Sequence, residues 1–364
     1  SEQVLEELGT EELTTTAGEK DKIHEVVTRK IIRTDREIGD LISAKQREDI
    51  INLLDDGLDQ PLYKGIVSGP IDADKQDYLL RDSYYCGVQY GHYDIDRLHA
   101  VLARHTDSAG GDIICIEQDG LNTIEQFVLA RYFETTQIIR HRIRQITDAM
   151  LLRALSLGVR VDNLQFLRDL YTFSDSEAFA RNYLSWNDER LVSRLLEPEH
   201  EGTRAGRIFR LLANRRLFKQ TLRVRLSDIG ADAAMNPKKV KEVRQTIEAE
   251  VAERLSSLQG TQVEPEMVIV EVSKQPPARK DEGSLLVKDG TRLVPLESQS
   301  VIFGSISEKL SEQHLQCYAP LAIADEGRRR TAEDEIRQMV VSRVNQLISA
   351  QKPLPLDAQA QGEA

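Results

Sequence analysis

The sequence predicts a mainly α-helical protein with a smaller C-terminal α/β module. Residues 21–60 and 122–157 carry apolar side chains at helical spacing, and the second of these stretches contains no Gly or Pro. Near the C-terminus, MVIVEVSK at 267–274 is rich in β-branched residues, and SLLVKDGTRLVPL at 284–296 has the pattern of a hairpin. Helices are therefore expected first, and a mixed module after them.

A first domain, residues 1–220, is predicted to be an array of helices joined by short loops. After 21–60, the expected elements are helices at 71–85 and 94–104, a short strand IICIEQ at 113–118, the long helix 122–157, and helices at 161–171, 175–185, 187–196 and 203–216. Periodicity in 21–60 predicts a set of core residues: Ile23, Val26, Val27, Ile31, Ile32, Ile38, Leu41 and Ile42. Ile139 and Ile143 are among the apolar side chains of the long helix.

The second predicted domain, residues 221–350, has a helix at 240–258, the strand at 267–274, and the hairpin with its turn at Asp289-Gly290. Its last helix is expected to start at a capping box that begins with Thr331 and to run to about Ser349. The tail, 351–364, is predicted to be disordered because its composition is Ala-, Gln- and Pro-rich.

Composition restricts the function. The chain has 364 residues and a net charge of −12, so it has no general attraction for nucleic acid or anionic lipid. The basic residues Arg215, Arg216 and Lys219 could bind a nucleotide or nucleic acid, but a solvated basic helix end is the favoured interpretation. The three cysteines form no CxxC pair, and no run is apolar enough for a membrane helix or signal peptide. We expect a cytoplasmic protein without membrane contact.

The stretch IDADKQDYLLRD at 71–82 is the most informative motif. At 100° per residue, one side of about 120° carries Asp74, Lys75, Tyr78, Arg81 and Asp82. A carboxylate beside a lysine suits a metal-bound polyphosphate, with the acid on the cation and the ammonium on a phosphate oxygen. The alternative from the residues alone is a solvated helix face with near-neighbour ion pairs.

IVSGPIDADKQDYLLRDSYYCGVQYGHYDIDRL, from Ile66, resembles a signature of the HD-domain phosphohydrolases, in the branch of the dGTPases and the SAM and HD domain-containing deoxynucleotide triphosphohydrolase. The resemblance implies an HD-domain helical array in which Asp74 is a metal ligand and Lys75 contacts substrate phosphate. It also implies that Tyr78 packs against the deoxyribose and that Asp82 hydrogen-bonds the sugar 3′-hydroxyl. We expect Asp72, Asp77 and Arg81 to be structural, through capping and ion pairs.

Two further segments resemble the same family. IHEVVTRKII at 23–32 is similar to its H-E-x-x-T/S helix, which makes His24 a candidate proton donor near the scissile phosphate. LARYFETTQIIRHRIRQITDAML at 129–151 is similar to its R-(x)9-H helix, which makes Arg131 a phosphate contact and His141 a second substrate-binding residue. Without the resemblance, the first pair is a half-packed His-Glu and the second segment a core helix.

The chain has no His-Asp dipeptide, although an HD site needs that pair and an earlier histidine as metal ligands. SEQVLEEL resembles the residues that follow this segment in the family. Two explanations stay open: the chain is an N-terminally shortened part of a larger enzyme, or the protein has lost the site and binds nucleotides without hydrolysing them. By itself, the chain keeps one of four expected metal ligands and is expected to be inactive.

The predicted function of the intact protein is metal-dependent hydrolysis of a deoxynucleoside triphosphate to the deoxynucleoside and triphosphate. The resemblance implies a divalent metal ion, with Mg, Mn, Fe and Zn not distinguished, a deoxynucleotide or other phosphoester substrate, and a homo-oligomer. The alternatives are a non-catalytic nucleotide-binding regulatory protein of the same fold and a helical scaffold without a ligand.

Overall fold

The computed structural model describes Val4 and residues 23–55, 61–106, 110–172, 174, 176–273, 285–290, 292–303 and 312–350. These residues fold into two units. The first comprises Ser1–Arg210 and Pro276–Ser311, and the second comprises Leu211–Gln275 and Glu312–Ala364. The predicted C-terminal module is therefore divided in space, since the segment around the hairpin folds with the first unit.

The helices of the first unit follow the predicted array. They are α1 (Ile23–Thr34), α2 (Arg36–Leu41), α3 (Ala44–Leu54), α4 (Pro61–Ser68), α5 (Ala73–Cys86), α6 (Ile95–Val101), α7 (Leu121–Phe133), α8 (Arg142–Arg160), α9 (Gln165–Tyr171), α10 (Glu177–Leu184), α11 (Asp188–Leu195) and α12 (Arg204–Ala213).

Capping side chains divide the predicted helical stretch 21–60. Asp35 accepts a hydrogen bond from the backbone N–H of Ile38 at 3.0 Å and starts α2. Ser43 and Gln46 form a complete capping box that starts α3. Leu41, predicted to be a core residue, lies at the end of the short α2 and is 83% exposed. The periodicity was misleading at this position because the chain changes direction between the two caps.

The predicted long helix 122–157 is also interrupted. Between α7 and α8 the backbone forms a π-helical segment, Glu134–Ile139, and then a turn in which His141 is extended, with φ −58° and ψ 135°. The wider turn changes which side chains face inward. Ile139 and Ile143, two of the apolar side chains of the predicted long helix, are 39% and 43% exposed.

A four-stranded sheet completes the first unit, with strand order β1-β2-β5-β6. Its strands are β1 (Leu102–Thr106), β2 (Asp112–Glu117), β5 (Leu286–Asp289) and β6 (Arg292–Pro295), followed by α17 (Leu296–Gln299). The hairpin of β5 and β6 is confirmed, and Gly290 provides the left-handed backbone that it needs, with φ +62°. The helix predicted at 94–104 ends at Val101 instead, because residues 102–106 pair with β2.

A buried cluster holds α5 against the rest of the first unit. Leu79 from α5 packs with Leu98, Ile116, Ile124 and Phe127, which come from α6, β2 and α7. All five are at most 1% exposed. This anchors the apolar face of α5 and leaves its polar face directed away from the core.

The second unit combines helices with a three-stranded antiparallel sheet of order β3-β7-β4. Its elements are β3 (Lys219–Arg225), α13 (Leu226–Ile229), α14 (Ala231–Met235), α15 (Pro237–Glu242), α16 (Arg244–Gln259), β4 (Ile269–Val272), β7 (His314–Ala319) and α18 (Glu326–Ala350). Only β4 was predicted; β3 and β7 were missed.

The predicted start of the last helix is wrong. α18 begins at Glu326, where Asp325 accepts a hydrogen bond from the backbone N–H of Arg328 at 2.7 Å. Thr331 lies within the helix, and its hydroxyl donates to the carbonyl of Gly327 at 3.1 Å. The predicted tail, 351–364, lies outside the described residues. Among the helices that are described, none has a stretch long and apolar enough to cross a membrane.

Candidate functional site

The start of α5 holds a buried lysine. Asp72 caps the helix by accepting a hydrogen bond from the backbone N–H of Lys75 at 2.7 Å, and Asp72 is 5% exposed. Lys75 Nζ forms an ion pair with the same carboxylate and donates to the carbonyl of Gly69 at 2.8 Å. An ammonium has three N–H groups, so one is left after these two contacts. Asp72 is thus structural, as predicted, and it fixes the position of the Lys75 charge.

The outward side of α5 carries the ordinary surface ion pairs that were expected there. Arg81 Nη1 lies 2.6 Å from Asp77 Oδ2, one helical turn earlier, and both side chains are more than half exposed. Such pairs contribute little to stability. Arg81 Nε also lies 3.6 Å from Asp82 Oδ1, so this exposed side of α5 adjoins the side that carries Asp82.

Tyr78 of α5 meets Arg131 of α7. Burial raises the pKa of Tyr78, while the Arg131 guanidinium, which donates a hydrogen bond to the phenol oxygen, acts in the opposite direction. Arg131 is 8% exposed although it lies in the last turn of α7. The structure therefore brings together two residues that the sequence analysis selected from separate motifs.

Glu134 adds a group that the sequence analysis missed. It is the first residue of the π-helical segment, it is fully buried, and both of its carboxyl oxygens lack a hydrogen-bond partner among the described residues. Burial and the neighbouring charge of Asp82 raise its pKa to about 7, and Arg144 partly opposes this shift. Glu134 also affects the pKa of Tyr78, so it belongs to the same cluster.

A sequence signal for Glu134 existed. It follows the buried Phe127 by seven residues, a spacing that places two side chains on one face of a helix. An acidic residue on a buried face is uncommon, and a strongly perturbed carboxyl group beside other polar side chains is typical of functional sites.

Asp82 completes a four-residue group, which we call the α5–α7 cluster: Tyr78, Asp82, Arg131 and Glu134. Its side chain is 42% exposed, and its charge acts directly on Glu134. The cluster combines a cation, a phenol, one half-exposed carboxylate and one buried carboxyl group. Such a set can bind a ligand that offers an anionic end and a hydroxyl or amino group.

Asp74 stands apart from this group. It is exposed in the first turn of α5, and the one set of three or more His, Cys, Asp and Glu side chains that could share an ion, within the described part of the chain, does not include it. A single exposed carboxylate does not hold a divalent ion well. The described residues therefore do not form the metal site that the resemblance implies at Asp74.

The two predicted histidines have different outcomes. His141 is exposed and caps α8, with Nδ1 accepting a hydrogen bond from the backbone N–H of Ile143 at 3.3 Å. The observed role of His141 is therefore to cap the first turn of α8. His24 lies in α1, but its side chain is outside the described residues.

Comparison with known proteins identifies the family. The model of the HD associated region matches residues 94–337, which is more than half of the chain. The chain belongs to the HD-associated family. The matched range contains Arg131 and Glu134, whereas the α5 residues of the site precede it.

Relatives of this HD-associated chain include two uncharacterised proteins. YwfO of Bacillus subtilis is 30% identical over 135 residues, which is 36% of this chain and 30% of that protein. MJ1154 of Methanocaldococcus jannaschii is 36% identical over 110 residues, which is 30% of this chain and 24% of that protein. The matched part thus spans less than a third of the length of either relative.

Two solved structures share the fold of this HD-associated chain. A hypothetical protein from Aquifex aeolicus superposes with a TM-score of 0.57 at 20% identity, over 92% of this chain and 83% of that one. A phosphohydrolase, BT4208, from Bacteroides thetaiotaomicron superposes with a TM-score of 0.56 at 20% identity, over 86% of this chain and 84% of that one. The chain therefore shares the fold of these two proteins, and in this chain that fold is mainly helical with a smaller α/β part.

Proposed function

We propose that the protein is a phosphohydrolase that converts a deoxynucleoside triphosphate to the deoxynucleoside and triphosphate. The observation that carries this proposal is the contact of Tyr78 with Arg131, in which a residue expected at the sugar meets a residue expected at the phosphates. The phosphohydrolase among the solved proteins of the same fold supports the reaction class.

The phosphate end of the substrate would lie between two cations. Lys75 is held by Asp72 and Gly69 with one N–H left, and the Arg131 guanidinium can form a bidentate pair with phosphate oxygens. Both side chains are largely buried, so their charges are screened less by solvent than surface charges are. This arrangement binds the triphosphate and orients its α-phosphorus.

The sugar end would lie on the rest of the α5–α7 cluster. The Tyr78 ring supplies a flat surface under the deoxyribose, where a 2′-hydroxyl would need additional room and a partner. Asp82 can accept a hydrogen bond from the 3′-hydroxyl. In the reaction, water adds to the α-phosphorus, the bond from phosphorus to the 5′-oxygen breaks, and His24 gives that oxygen its proton.

A second candidate function is nucleotide binding without hydrolysis. The position of Asp74 favours it, because Asp74 has no set of further metal ligands among the described residues. The described residues can bind and orient a nucleotide, and the metal-assisted step that the resemblance implies does not follow from them.

The products distinguish the two functions. We expect the full-length protein, incubated with deoxynucleoside triphosphates and Mg²⁺ or Mn²⁺, to release one tripolyphosphate for each deoxynucleoside. Ion chromatography of the reaction measures both products. Release of orthophosphate or pyrophosphate would exclude the proposed cleavage site. Tight binding of the nucleotide without any product would establish the non-catalytic alternative.

The setting of the protein is also a proposal. We infer a cytoplasmic homo-oligomer that acts on a small phosphoester and not on nucleic acid or membranes. The scattered cysteines, of which Cys115 and Cys317 are buried outside any disulfide, support the cytoplasmic setting. The net charge of −12 supports a small substrate instead of nucleic acid or a membrane.

A further inference from the structure

The turn after α11 gathers three metal-binding side chains in one place. Glu197, Glu199 and His200 each offer one atom that could be a metal ligand, and these three atoms lie within 4.8 Å of one another. Pro198 is the first residue of the 3₁₀ turn Pro198–His200 that joins them. A proline restricts the backbone, so the three side chains are held close together by a short rigid segment.

The histidine of this turn is buried and incompletely satisfied. His200 is 7% exposed, and its Nε2 is buried without a hydrogen-bond partner among the described residues. Glu199 Oε1 lies 3.2 Å from Nε2, but this contact does not have hydrogen-bond geometry. The ring packs against Phe166 with a centroid distance of 5.5 Å. A buried ring nitrogen without a partner costs free energy, which a metal ion at this nitrogen would recover.

A positive charge already lies beside the two carboxylates. Arg194 forms ion pairs with Glu197 and, at 2.8 Å, with Glu199. Its guanidinium also lies 5.4 Å from the centre of the Phe166 ring. The Arg194 side chain is 39% exposed, so it can turn into solvent. The position between the carboxylates can therefore hold the guanidinium or a metal ion, but not both.

We propose that Glu197, Glu199 and His200 form a binding site for a divalent transition-metal ion, with Zn²⁺ as the best match, and that this ion binds in exchange for Arg194. One imidazole nitrogen and two carboxylates are a ligand set that suits Zn²⁺, and three protein ligands leave a position for water. Mg²⁺ requires oxygen ligands in octahedral geometry, so it fits this turn poorly. The site does not depend on the proposed hydrolysis, since none of its residues belongs to the α5–α7 cluster.

Calorimetric titration of the full chain with ZnCl₂, after treatment with a chelator, tests the site. We expect one Zn²⁺ per chain, and a loss of affinity of at least about 10-fold in His200→Gln and in Glu199→Gln. Glu199 is 56% exposed, so its replacement leaves the buried core intact. Arg194→Gln is expected to bind Zn²⁺ more tightly, because the competing cation is gone. Glu201→Gln is the matched control, since this neighbouring carboxylate is 72% exposed and lies outside the group.

Three results would overturn the proposal. The first is Zn²⁺ binding that is equally strong in wild type, His200→Gln and Glu199→Gln, which would place the ion elsewhere on the chain. The second is unchanged or weaker binding in Arg194→Gln, which would show that the guanidinium and the ion do not compete. The third is competition by Mg²⁺, which at equal concentration is expected to leave the Zn²⁺ titration unchanged.

Discussion

Lys75→Met is expected to weaken the binding of deoxynucleoside triphosphates by about 10- to 100-fold, the range that corresponds to losing a hydrogen bond to a charged group. The variant keeps the length of the side chain but removes the ammonium that Asp72 and Gly69 hold at the start of α5. The loss should be greatest for the triphosphate and small for the deoxynucleoside, because the ammonium contacts only phosphate. Calorimetric titration with both ligands measures the difference.

Arg97→Met is the matched control. Arg97 lies on α6 and loses the same kind of charge, but its partner is Asp119 at 2.9 Å and its side chain is 47% exposed. We expect the affinity of this variant to stay within about twofold of wild type, as for most surface ion pairs. Because Lys75→Met also removes the partner of the buried Asp72, the titration must be made below the melting temperature of the variant. Equal losses in Arg97→Met and Lys75→Met would mean that the effect is general electrostatics and not a phosphate contact.

Glu134→Gln is expected to stabilise the protein by about 3 kcal/mol at pH 8 and by only about 1 kcal/mol at pH 5. In the folded protein the pKa of Glu134 is raised to about 7 from its ordinary value of 4.5. An acid with a raised folded pKa contributes stability that is fully present below pH 4.5 and is lost as the pH rises to about 7. Above pH 7 the buried carboxylate is charged, and glutamine, which has the same shape, avoids that cost.

The single tryptophan makes this measurement specific. Trp186 lies in the same unit as Glu134, so its fluorescence during urea unfolding reports on that unit. Glu177→Gln is the matched control, since the Glu177 side chain is 60% exposed and pairs with Arg181. It should change the free energy of unfolding by less than about 0.5 kcal/mol at both pH values. If Glu134→Gln changes stability equally at pH 5 and pH 8, the buried carboxyl group does not titrate near pH 7.

A buried carboxyl group without a partner is a stability cost, and such costs are most often retained at functional sites. Glu134 lies beside Asp82 and Tyr78, which the proposed function places at the sugar. A ligand hydroxyl between two carboxyl groups can donate to the ionised one and accept from the neutral one. A raised pKa at Glu134 would therefore help the cluster to bind a ligand hydroxyl.

Local patterns predicted α5 well. The capping aspartate, the apolar side with Leu79, and the left-handed Gly87 at the end, with φ +66°, are all encoded within 16 residues of sequence. The same holds for the β5–β6 hairpin, whose turn is a two-residue signal. The pairing of β5 with β2 joins segments far apart in sequence, and no local pattern contains that information.

The candidate site, like the sheet, depends partly on packing between distant segments that local sequence patterns do not contain. Resemblance selected Tyr78 and Arg131 from separate motifs, and the structure places them in contact. It did not select Glu134, because the π-helical segment that begins there depends on packing around α7 and α8 and not on a capping or turn residue. Asp74 shows the opposite case, since its predicted metal role needs partners that the described residues do not provide.

Calorimetric titration of the chain with dATP, dCTP and dGTP, each compared with ATP, CTP or GTP, tests the central claim that the α5–α7 cluster together with Lys75 binds a deoxynucleoside triphosphate. We expect the deoxy form of at least one pair to bind at least about 10-fold more tightly than its ribonucleotide, because a 2′-hydroxyl over the Tyr78 ring would need additional room and a partner. We expect Tyr78→Ala to remove most of that preference while the triphosphate still binds. Equal affinities within all three pairs, or no binding of any nucleotide, would contradict the claim.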